Sequence, residues 1–502
     1  MQQAMHSFTG LMPSSEFLAA VRRGDVSSIC LFAYNLASPA QLRHMTETLQ
    51  AAAHEGGHPP LLIGIDQEGG QLIALANGTT ELPGNMALGA TRSVDLATKA
   101  GQVLGRELLA MGVNMNFAPS LDVNIDPQNP VIGIRSFGNS PDWAGRLGIA
   151  LMRGMKQEGV IATPKHFPGH GDTSADSHHQ MPVVPHSVAR LLEIELAPFR
   201  AAIEAGAEAI MTAHIMYPAL DDTLPATLSH LILTDLLRHE MNFAGLIITD
   251  ALDMYAVSQL GHRESVQAAL QAGADLLMMG HIPEQMELMA SMRDAVNPES
   301  VARIRAVRQN LPTSLPPLAV VGSAEHHAIA QEIADASITV VRDNGRIPLR
   351  LGADDQVAVI TIAPMNLTPA DTSSEVRMTL GRAIRKRHEH VLALEMPFKA
   401  SAGAVEAILN AVENVDHVVV ATIMADKDSA QANLVRVLQE RGQSPIVVSM
   451  RTPYDITAFP MIETYLCAYS IRDVSSEAVA KVLFGEIEAH GVLPCAIPGI
   501  SD

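Results

Sequence analysis

The segment Gly159-Val-Ile-Ala-Thr-Pro-Lys-His-Phe-Pro-Gly-His-Gly-Asp-Thr-Ser-Ala-Asp-Ser-His-His179 joins a short apolar run to a loop that is rich in titratable side chains. Residues 159–162 are typical of a short buried strand, whereas Pro168, Gly169 and Gly171 prevent the following residues from continuing as strand or helix. Such a loop is costly to bury, and rigid scaffolds usually carry their chemistry on loops at strand ends. We therefore expect a functional loop rather than a solvated surface loop.

Similar apolar runs recur along the chain and alternate with amphipathic stretches of helical period. Together with residues 160–162, the runs are residues 28–33, 61–65, 113–117, 209–212, 245–249 and 274–279. The amphipathic stretches include residues 93–111, 142–158, 188–205 and 263–272. Continuous apolar runs suit strands that are buried on both faces, and their alternation with helices indicates a parallel sheet. About seven such units in roughly 300 residues fit a TIM-type barrel better than an open doubly wound sheet, although no eighth strand stands out.

Polar side chains directly follow nearly every one of these runs. They are Asn35, Asp66, Asp122, Lys165, His214, Asp250 and His281. In a closed barrel the carboxyl ends of the strands converge on one mouth, whereas the outermost strands of an open sheet hold such residues too far apart to cooperate. The sequence thus predicts an N-terminal TIM-type (β/α) barrel as the catalytic domain, over residues 1–310.

The pattern breaks at the Pro-rich residues 311–317, which are typical of a linker. A second alternation follows in residues 318–502 and indicates a smaller three-layer α/β sandwich domain. Its predicted strands are residues 357–362, 391–394, 417–423 and 445–449, and its predicted helices are residues 326–338, 375–387, 402–412 and 429–441. It has no glycine-rich phosphate loop and no catalytic cluster, so we expect a structural or partner-binding role, or a role in forming a homodimer.

Composition argues against several classes of protein. The 502 residues are 47% apolar and 18% charged, which is typical of a well-packed chain with more than one domain. A formal charge of −20 argues against nucleic acid and anionic membranes as partners. Residues 1–17 lack the pattern of a signal peptide, and no apolar run approaches the roughly 20 residues that span a bilayer. Because Cys30, Cys467 and Cys495 form no disulfide or zinc pattern, we expect a cytoplasmic protein without a metal or cofactor.

Two carboxylates at strand ends are candidates for catalysis. Asp66 follows residues 61–65 and Asp250 follows residues 245–249, although either could instead cap a helix. Retaining glycoside hydrolysis needs one group that attacks the anomeric carbon and another that protonates the leaving oxygen. On the loop, Asp176 and His178 are two residues apart and could form a hydrogen-bonded pair suited to the second role.

Five motifs resemble those of glycoside hydrolase family 3, and most of all its β-N-acetylglucosaminidase branch, which includes bacterial cell-wall-recycling enzymes. They are Lys165-His-Phe-Pro-Gly-His-Gly-Asp172, Asp176-Ser-His178, Asp66-Gln-Glu-Gly-Gly70, Asn116-Phe-Ala-Pro-Ser-Leu-Asp122 and Arg135-Ser-Phe-Gly138. The resemblance runs in order across most of residues 10–300, and the string from Lys165 to His178 is highly specific. The layout of the chain is also similar to that of the two-domain members.

The resemblance implies a retaining, exo-acting β-N-acetylglucosaminidase that removes terminal β-linked N-acetylglucosamine from muropeptides or chitooligosaccharides. It implies that Asp250 is the nucleophile of a covalent glycosyl-enzyme and that His178 is the acid/base, with Asp176 as its partner. It further implies that the sugar hydroxyls are bound by Asp66, Arg135, Lys165 and His166. His170 and Asp172 are expected to shape the loop.

One position departs from the family pattern. The family usually carries an arginine that contributes to sugar binding four residues after Gly70, and this chain has Ala74 there. The missing donor would weaken sugar binding, or mark a different sugar or a different direction from which the substrate approaches.

Other functions stay open at this stage. Another β-glycosidase of the family fits the same motifs, and a β-glycoside phosphorylase would resolve the glycosyl-enzyme with phosphate, an anion that a histidine acid/base would not repel. A metal-dependent barrel hydrolase could use His166, His170, His178 and His179 as ligands, although their spacing does not fix a tetrahedral site. A binding protein without turnover is disfavoured by the presence of Asp250 and His178.

Overall fold

The computed structural model of the chain describes residues 2–178 and 180–500, so His179 lies outside the described residues. The fold is α/β and has two parts, each built around a mainly parallel sheet. The three cysteines are buried free thiols. Within the described residues, no helix combines the length and the apolar character needed to cross a membrane.

The first part contains eight short parallel strands among the described residues. They are Ala4–His6, Ser28–Cys30, Leu62–Ile65, Met115–Asn116, Ile161–Ala162, Ala209–Met211, Leu246–Ile248 and Leu277–Met278. Six form one sheet in the order 277–278, 4–6, 28–30, 62–65, 115–116, 161–162, and strands 209–211 and 246–248 pair with each other. Seven of these strands lie in the predicted apolar runs. The additional strand, Ala4–His6, lies between strands 277–278 and 28–30.

Isolated bridges connect the two groups of strands. Phe167 pairs with Thr212, and Ile248 pairs with Leu276, both in the parallel sense. The amide of Phe167 also donates to the carbonyl of Met211 at 2.8 Å. One buried apolar cluster draws side chains from all eight strands, among them Met5, Cys30, Leu62, Met115, Ile161, Met211, Ile248 and Met278.

Helices separate the strands of the first part along the chain. They are Ser15–Arg23, Pro39–Glu55, Asn85–Thr91, Val94–Ala110, Pro141–Gln157, Val188–Glu193, Leu196–Glu204, Leu231–Glu240, Tyr255–Ser258, His262–Ala272, Gln285–Ala290 and Pro298–Gln309. Several begin after a serine whose hydroxyl accepts a hydrogen bond from a backbone amide of the first turn, which stabilises the helix start. The single helix predicted over residues 188–205 is instead two helices. Between them Glu195 is buried and ion-paired with Arg190 at 2.7 Å, which fixes the break.

The second part is a six-stranded sheet with helices. Its strands are Thr339–Arg342, Val357–Ile362, Val391–Met396, His417–Thr422, Ile446–Ser449 and Thr464–Cys467. Their order is 339–342, 464–467, 446–449, 417–422, 357–362, 391–396, and only the first pair is antiparallel. The longer helices are Ala324–Ser337, Leu380–Arg385, Ala402–Ala411, Ser429–Glu440 and Asp473–Leu483. The sequence predicted four of these strands, but not 339–342, 464–467 or the helix at 473–483.

Two buried arginines of the second part hold a short antiparallel ribbon of the first part, formed by strands Gln67–Gly69 and Leu72–Ile73. Arg472 donates from Nε to the carbonyl of Gly70 at 2.7 Å. Arg451 donates to the side chain of Gln71 and pairs with the buried Asp371 at 2.9 Å. Because buried charges are costly without partners, these contacts tie the two parts together at one place.

Candidate active site

A cavity of about 500 Å³ lies at the carboxyl ends of the strands of the first part. Its lining includes all of the predicted catalytic and sugar-binding residues except Asp176, namely Asp66, Arg135, Lys165, His166, His178 and Asp250. His281, another polar residue that follows a strand, also lines the cavity. The structure thus brings together side chains that the sequence places on separate loops.

Three of the polar residues expected at the mouth are buried and do not line the cavity. Asn35 is buried, and its Nδ2 donates at 2.9 and 2.8 Å to two backbone carbonyls of the N-terminal segment. His214 is buried, and its Nε2 lies 2.9 Å from the backbone carbonyl that follows Asp250. Asp122 is fully buried and acts through His166. These three residues support the cavity rather than line it.

Lys165 joins two carboxylates at the cavity. Its Nζ lies 2.6 Å from Oδ1 of Asp66 and 2.7 Å from Oε1 of Glu68. The Lys165 and Glu68 side chains are each 2% exposed, whereas Asp66 is 32% exposed. Burial would lower the pKa of Lys165, but the charges of Asp66 and Glu68 raise it above the ordinary value. Lys165 therefore carries a fixed positive charge beside a carboxylate that still faces solvent.

Arg135 binds the other side of Glu68. Its Nη2 donates to Oε1 at 2.8 Å and its Nε to Oε2 at 3.0 Å, a bidentate pairing. Burial would raise the pKa of Glu68, but the charges of Arg135 and Lys165 lower it to about 2. Glu68 is thus a permanently ionised anchor that fixes two cationic donors within the cavity.

His166 is oriented by Asp122. Its Nδ1 lies 2.7 Å from Oδ2 of Asp122, which also accepts from the hydroxyl of Ser120 at 2.9 Å. The other oxygen, Oδ1, accepts from the amides of His166 at 3.2 Å and His170 at 2.6 Å. Burial would raise the pKa of Asp122, but the charge of His166 and its hydrogen bond lower it. One buried carboxylate therefore fixes both the imidazole of His166 and the start of the loop.

Gly171 allows the loop to pack against the backbone of Val123. A Cβ at position 171 would lie 1.8 Å from the carbonyl oxygen of Val123, so no side chain fits there. The neighbouring His170 lines the cavity, and its Nδ1 lies 2.8 Å from Oγ1 of Thr173. Burial lowers the pKa of His170 to about 4, so this imidazole is neutral under ordinary conditions.

His178 is held at the cavity by Asp176. The imidazole Nδ1 lies 2.6 Å from Oδ1 of Asp176, and the backbone amide of His178 donates to the same oxygen at 2.9 Å. The His178 side chain is 24% exposed, and that of Asp176 is 7% exposed. Burial would raise the pKa of Asp176, but the hydrogen bond and charge of His178 lower it. The arrangement is an imidazole at the cavity wall with an ionised carboxylate behind it.

Asp250 follows strand Leu246–Ile248 and lines the cavity. Its Oδ1 accepts from the amide of Ala251 at 2.8 Å, and the next helix begins only at Tyr255, so Asp250 does not cap a helix. Burial would raise the pKa of Asp250, but the charges of nearby histidines lower it. In order of effect these are His214, His166 and His178. The carboxylate is therefore ionised and chemically able to act as a nucleophile.

Glu68 and Asp122 were not assigned roles from the sequence, although both stand within the quoted motifs. A usable signal was the excess of basic groups among the predicted sugar-binding residues. Arg135, Lys165 and His166 cannot share one buried cavity without carboxylate partners, because unpaired buried charges are costly. That argument calls for acids close to them, but it cannot select which acids.

The second part of the chain forms one wall of the cavity, which the sequence did not predict. Pro369, Ala370 and Thr372 belong to the lining, as does Ala74 on the first part. The amide of Thr372 donates to the carbonyl of Gln71 at 2.9 Å, which holds this wall against the ribbon. At position 74, the methyl side chain offers no hydrogen-bond donor to the cavity.

Three of the four histidines considered as metal ligands, His166, His170 and His178, have protein partners. Among residues 2–178 and 180–500, no group of three or more His, Cys, Asp or Glu side chains has an arrangement that could hold a metal ion. His166 and His178 each point Nδ1 at a carboxylate, and His179 lies outside the described residues.

Comparison with known proteins identifies the class that this fold and site define. Residues 3–310 match the glycosyl hydrolase family 3 N-terminal domain, and the chain belongs to glycoside hydrolase family 3. A curated relative, β-hexosaminidase A from Pseudoalteromonas piscicida, is 33% identical over 96% of this chain and 91% of its own length. The protein is therefore a glycoside hydrolase.

Solved structures agree with this assignment. A family 3 β-N-acetylglucosaminidase from Paenibacillus sp. str. FPU-7 superposes with a TM-score of 0.92 at 37% identity, covering 99% of this chain and 98% of its own. NagZ from Neisseria gonorrhoeae, solved in complex with N-trifluoroacetyl-D-glucosamine, has a TM-score of 0.58 at 29% identity. It covers 67% of this chain and 98% of its own.

Proposed function

We propose that this protein is a retaining, exo-acting β-N-acetylglucosaminidase that removes terminal β-linked N-acetylglucosamine from oligosaccharides of the chitin or muropeptide type. The names of its relatives, β-hexosaminidase and β-N-acetylglucosaminidase, support the activity. One observation carries the mechanism: the carboxylate of Asp250 and the imidazole of His178 line the same cavity.

In the first step, Asp250 attacks the anomeric carbon and forms a covalent glycosyl-enzyme. The lowered pKa of Asp250 supports this role, because only the ionised carboxylate is a nucleophile. The leaving oxygen receives a proton from His178 in the same step. Departure of the leaving group is thereby assisted without a second free carboxylic acid.

In the second step, His178 accepts a proton from water, which then attacks the glycosyl-enzyme and releases the sugar with its configuration retained. Asp176 stabilises the imidazolium that gives up its proton in the first step and is formed again in the second, and it holds the ring by Nδ1. Because Asp176 is 7% exposed, its charge acts on His178 through protein rather than through bulk water.

The sugar in the cleaved position is bound by Asp66, Arg135, Lys165 and His166. Asp66 is the partly exposed acceptor, and the other three are donors whose positions are fixed by the buried carboxylates Glu68 and Asp122. Prearranged donors and acceptors of this kind orient a small ligand in a pocket of this volume. Because position 74 is alanine, fewer charged groups bind the sugar than is usual in the family.

We further propose that the eight strands close into a TIM-type barrel over residues 1–310, with residues 311–317 as linker and 318–502 as the second domain. The bridges Phe167–Thr212 and Ile248–Leu276 support closure, as does the shared apolar cluster drawn from all eight strands. A closed barrel explains how residues from distant strands meet at one mouth.

The test is a panel of nitrophenyl β-glycosides of N-acetylglucosamine, glucose and xylose, with wild type and Asp250→Asn. We expect wild type to prefer the N-acetylglucosamine glycoside, and Asp250→Asn to lose about 1,000-fold or more in kcat. Asp235→Asn, at an exposed position on the helix Leu231–Glu240, is the control and should retain wild-type rates. Hydrolysis that survives in Asp250→Asn would overturn the nucleophile assignment.

The same assay tests two further points: whether the configuration is retained, and whether water or phosphate is the acceptor. The first product anomer, followed by NMR, should have the β configuration; an initial α anomer would contradict retention. Rates in phosphate and in a buffer without phosphate should agree. A sugar 1-phosphate as the main product would identify a phosphorylase instead.

A further inference from the structure

Aromatic side chains are few in this chain, and they are exposed at one place. Only 4% of the residues are Phe, Trp or Tyr. Among the described residues, the two that are exposed are Tyr34 at 40% and Tyr255 at 47%, and both line the active-site cavity. Exposed aromatic rings are costly to leave in water, and their concentration at one cavity points to a ligand that covers them.

Tyr34 belongs to a stacked cluster. Its ring lies 5.5 Å from that of Phe32, with an angle of 17° between the planes. The ring of His281 lies 4.8 Å from that of Phe32 and 5.5 Å from that of Tyr34. All three residues line the cavity. The side chain of His281 is 57% exposed, so this aromatic cluster is not part of the apolar core.

Hydrogen bonds to Asp253 and Asn35 hold the aromatic cluster in position. Oδ2 of Asp253 accepts from the amide of His281 at 2.8 Å and lies 2.9 Å from its Nδ1. On the other side, the amide of Phe32 donates to the buried Asn35 at 3.0 Å. The rings are therefore held in place before a ligand binds, which lowers the entropic cost of stacking on them.

The cavity has two chemically different sides. The aromatic cluster follows strands 277–278 and 28–30, which flank strand 4–6 at one end of the six-stranded sheet. The donors Lys165 and Arg135 follow strands 161–162 and 115–116 at the other end. A disaccharide matches these two sides. The hydroxyls of the ring in the cleaved position suit the polar donors, and the apolar face of C–H groups on the next ring suits the aromatic cluster.

We propose that the cluster of Phe32, Tyr34 and His281 is a stacking platform for the second pyranose ring, on the leaving-group side of the cleaved bond. This inference rests on the proposed function, in which the leaving group is itself a sugar, and adds to it the side chains that bind the leaving sugar. Of Phe32 and Tyr34, Tyr34 is the more exposed, so it is the residue to substitute.

The test compares N,N′-diacetylchitobiose with methyl β-N-acetylglucosaminide, whose leaving group has no ring. In Tyr34→Ala, kcat/KM should fall about tenfold more for chitobiose than for the methyl glycoside, as expected for a lost aromatic contact. Tyr34→Phe keeps the ring and should restore the wild-type ratio. Leu231→Ala, at a 52% exposed position outside the cavity lining, controls for surface substitution.

Each outcome is decisive. An equal loss on both glycosides, or no loss on chitobiose, overturns the platform while leaving the proposed function intact, since wild type still cleaves the methyl glycoside. If Tyr34→Phe behaves as Tyr34→Ala, the hydroxyl rather than the ring is responsible and the stacking proposal fails. If wild type cleaves neither compound, the proposed function fails and this inference fails with it.

Discussion

Nδ1 of His178 lies 2.6 Å from Oδ1 of Asp176, and the same carboxylate oxygen also accepts from the backbone amide of His178. A single acceptor thus fixes both the backbone and the ring of one residue. The ring can rotate little without losing the contact, so the imidazole of His178 has a fixed orientation at the cavity.

His178→Ala should slow poor substrates more than activated ones. A poor leaving group needs a proton in the transition state, whereas dinitrophenolate departs without one. We expect about a 100-fold or larger loss in kcat/KM on methyl β-N-acetylglucosaminide and a much smaller loss on the dinitrophenyl glycoside. Steady-state kinetics on the two substrates measures the difference. Equal losses would show that His178 is not the acid.

Asp176→Asn removes the negative charge but keeps the size of the side chain. The imidazolium formed during catalysis then lacks its counterion, and we expect a loss of about 100-fold or more in kcat. Steady-state kinetics measures kcat, and thermal unfolding measures stability. A loss of thermal stability with kcat unchanged would indicate a purely structural role.

Glu68→Gln should weaken sugar binding. The change leaves Arg135 and Lys165 without their shared anion, so the two donors lose their fixed positions and their charges repel. We expect KM for the N-acetylglucosamine glycoside to rise about tenfold or more. Glu195→Gln is a matched control, because Glu195 is 3% exposed and paired with Arg190 at 2.7 Å but does not line the cavity. A similar rise in KM in both variants would contradict the assignment.

Asp455→Asn should change how stability depends on pH. Burial and the neighbouring charge of Asp426 raise the pKa of Asp455 from its ordinary value of 3.8 to about 8. Between these values the folded protein holds a proton that the unfolded chain has released, so the free energy of unfolding of wild type falls as pH rises through this window. Asn does not titrate, so the free energy of unfolding of the variant should increase relative to that of wild type as pH rises. Thermal unfolding at pH 4, 6 and 8, with Asp235→Asn as control, tests this; a constant difference between variant and wild type would refute it.

The strand pattern was readable from the sequence because buried parallel strands are continuous apolar runs. Ala4–His6 was not predicted because three residues show no periodicity, and its partner strand Leu277–Met278 is more than 270 residues away in the chain. In the second part, Thr339–Arg342 was missed for a different reason. Its β-branched run, residues 338–341, is short and directly follows the helix Ala324–Ser337, with no glycine or proline to mark a boundary.

Residues of the candidate site could be predicted where the side-chain type and its position in the sequence both point to catalysis or binding. The sequence placed Asp250, His178 and Lys165 at the mouth because each follows a strand or stands in a dense polar loop. It did not assign Glu68 or Asp122, because the choice of ion-pair partner depends on distances that local sequence does not encode. The wall at Pro369–Thr372 depends on how two separate sheets pack together, which leaves no local pattern.

That wall has a thermodynamic consequence. Thr372 donates to the Gln71 carbonyl, and Arg451 donates to the Gln71 side chain. The ribbon and the wall, which both contribute to the cavity lining, are therefore joined by contacts between the two parts. Any ligand that touches both surfaces binds the assembled form in preference to the separated one. By reciprocity, occupancy of the cavity and cohesion of the two parts reinforce each other, so we expect a ligand bound across both surfaces to stabilise the contact between the parts.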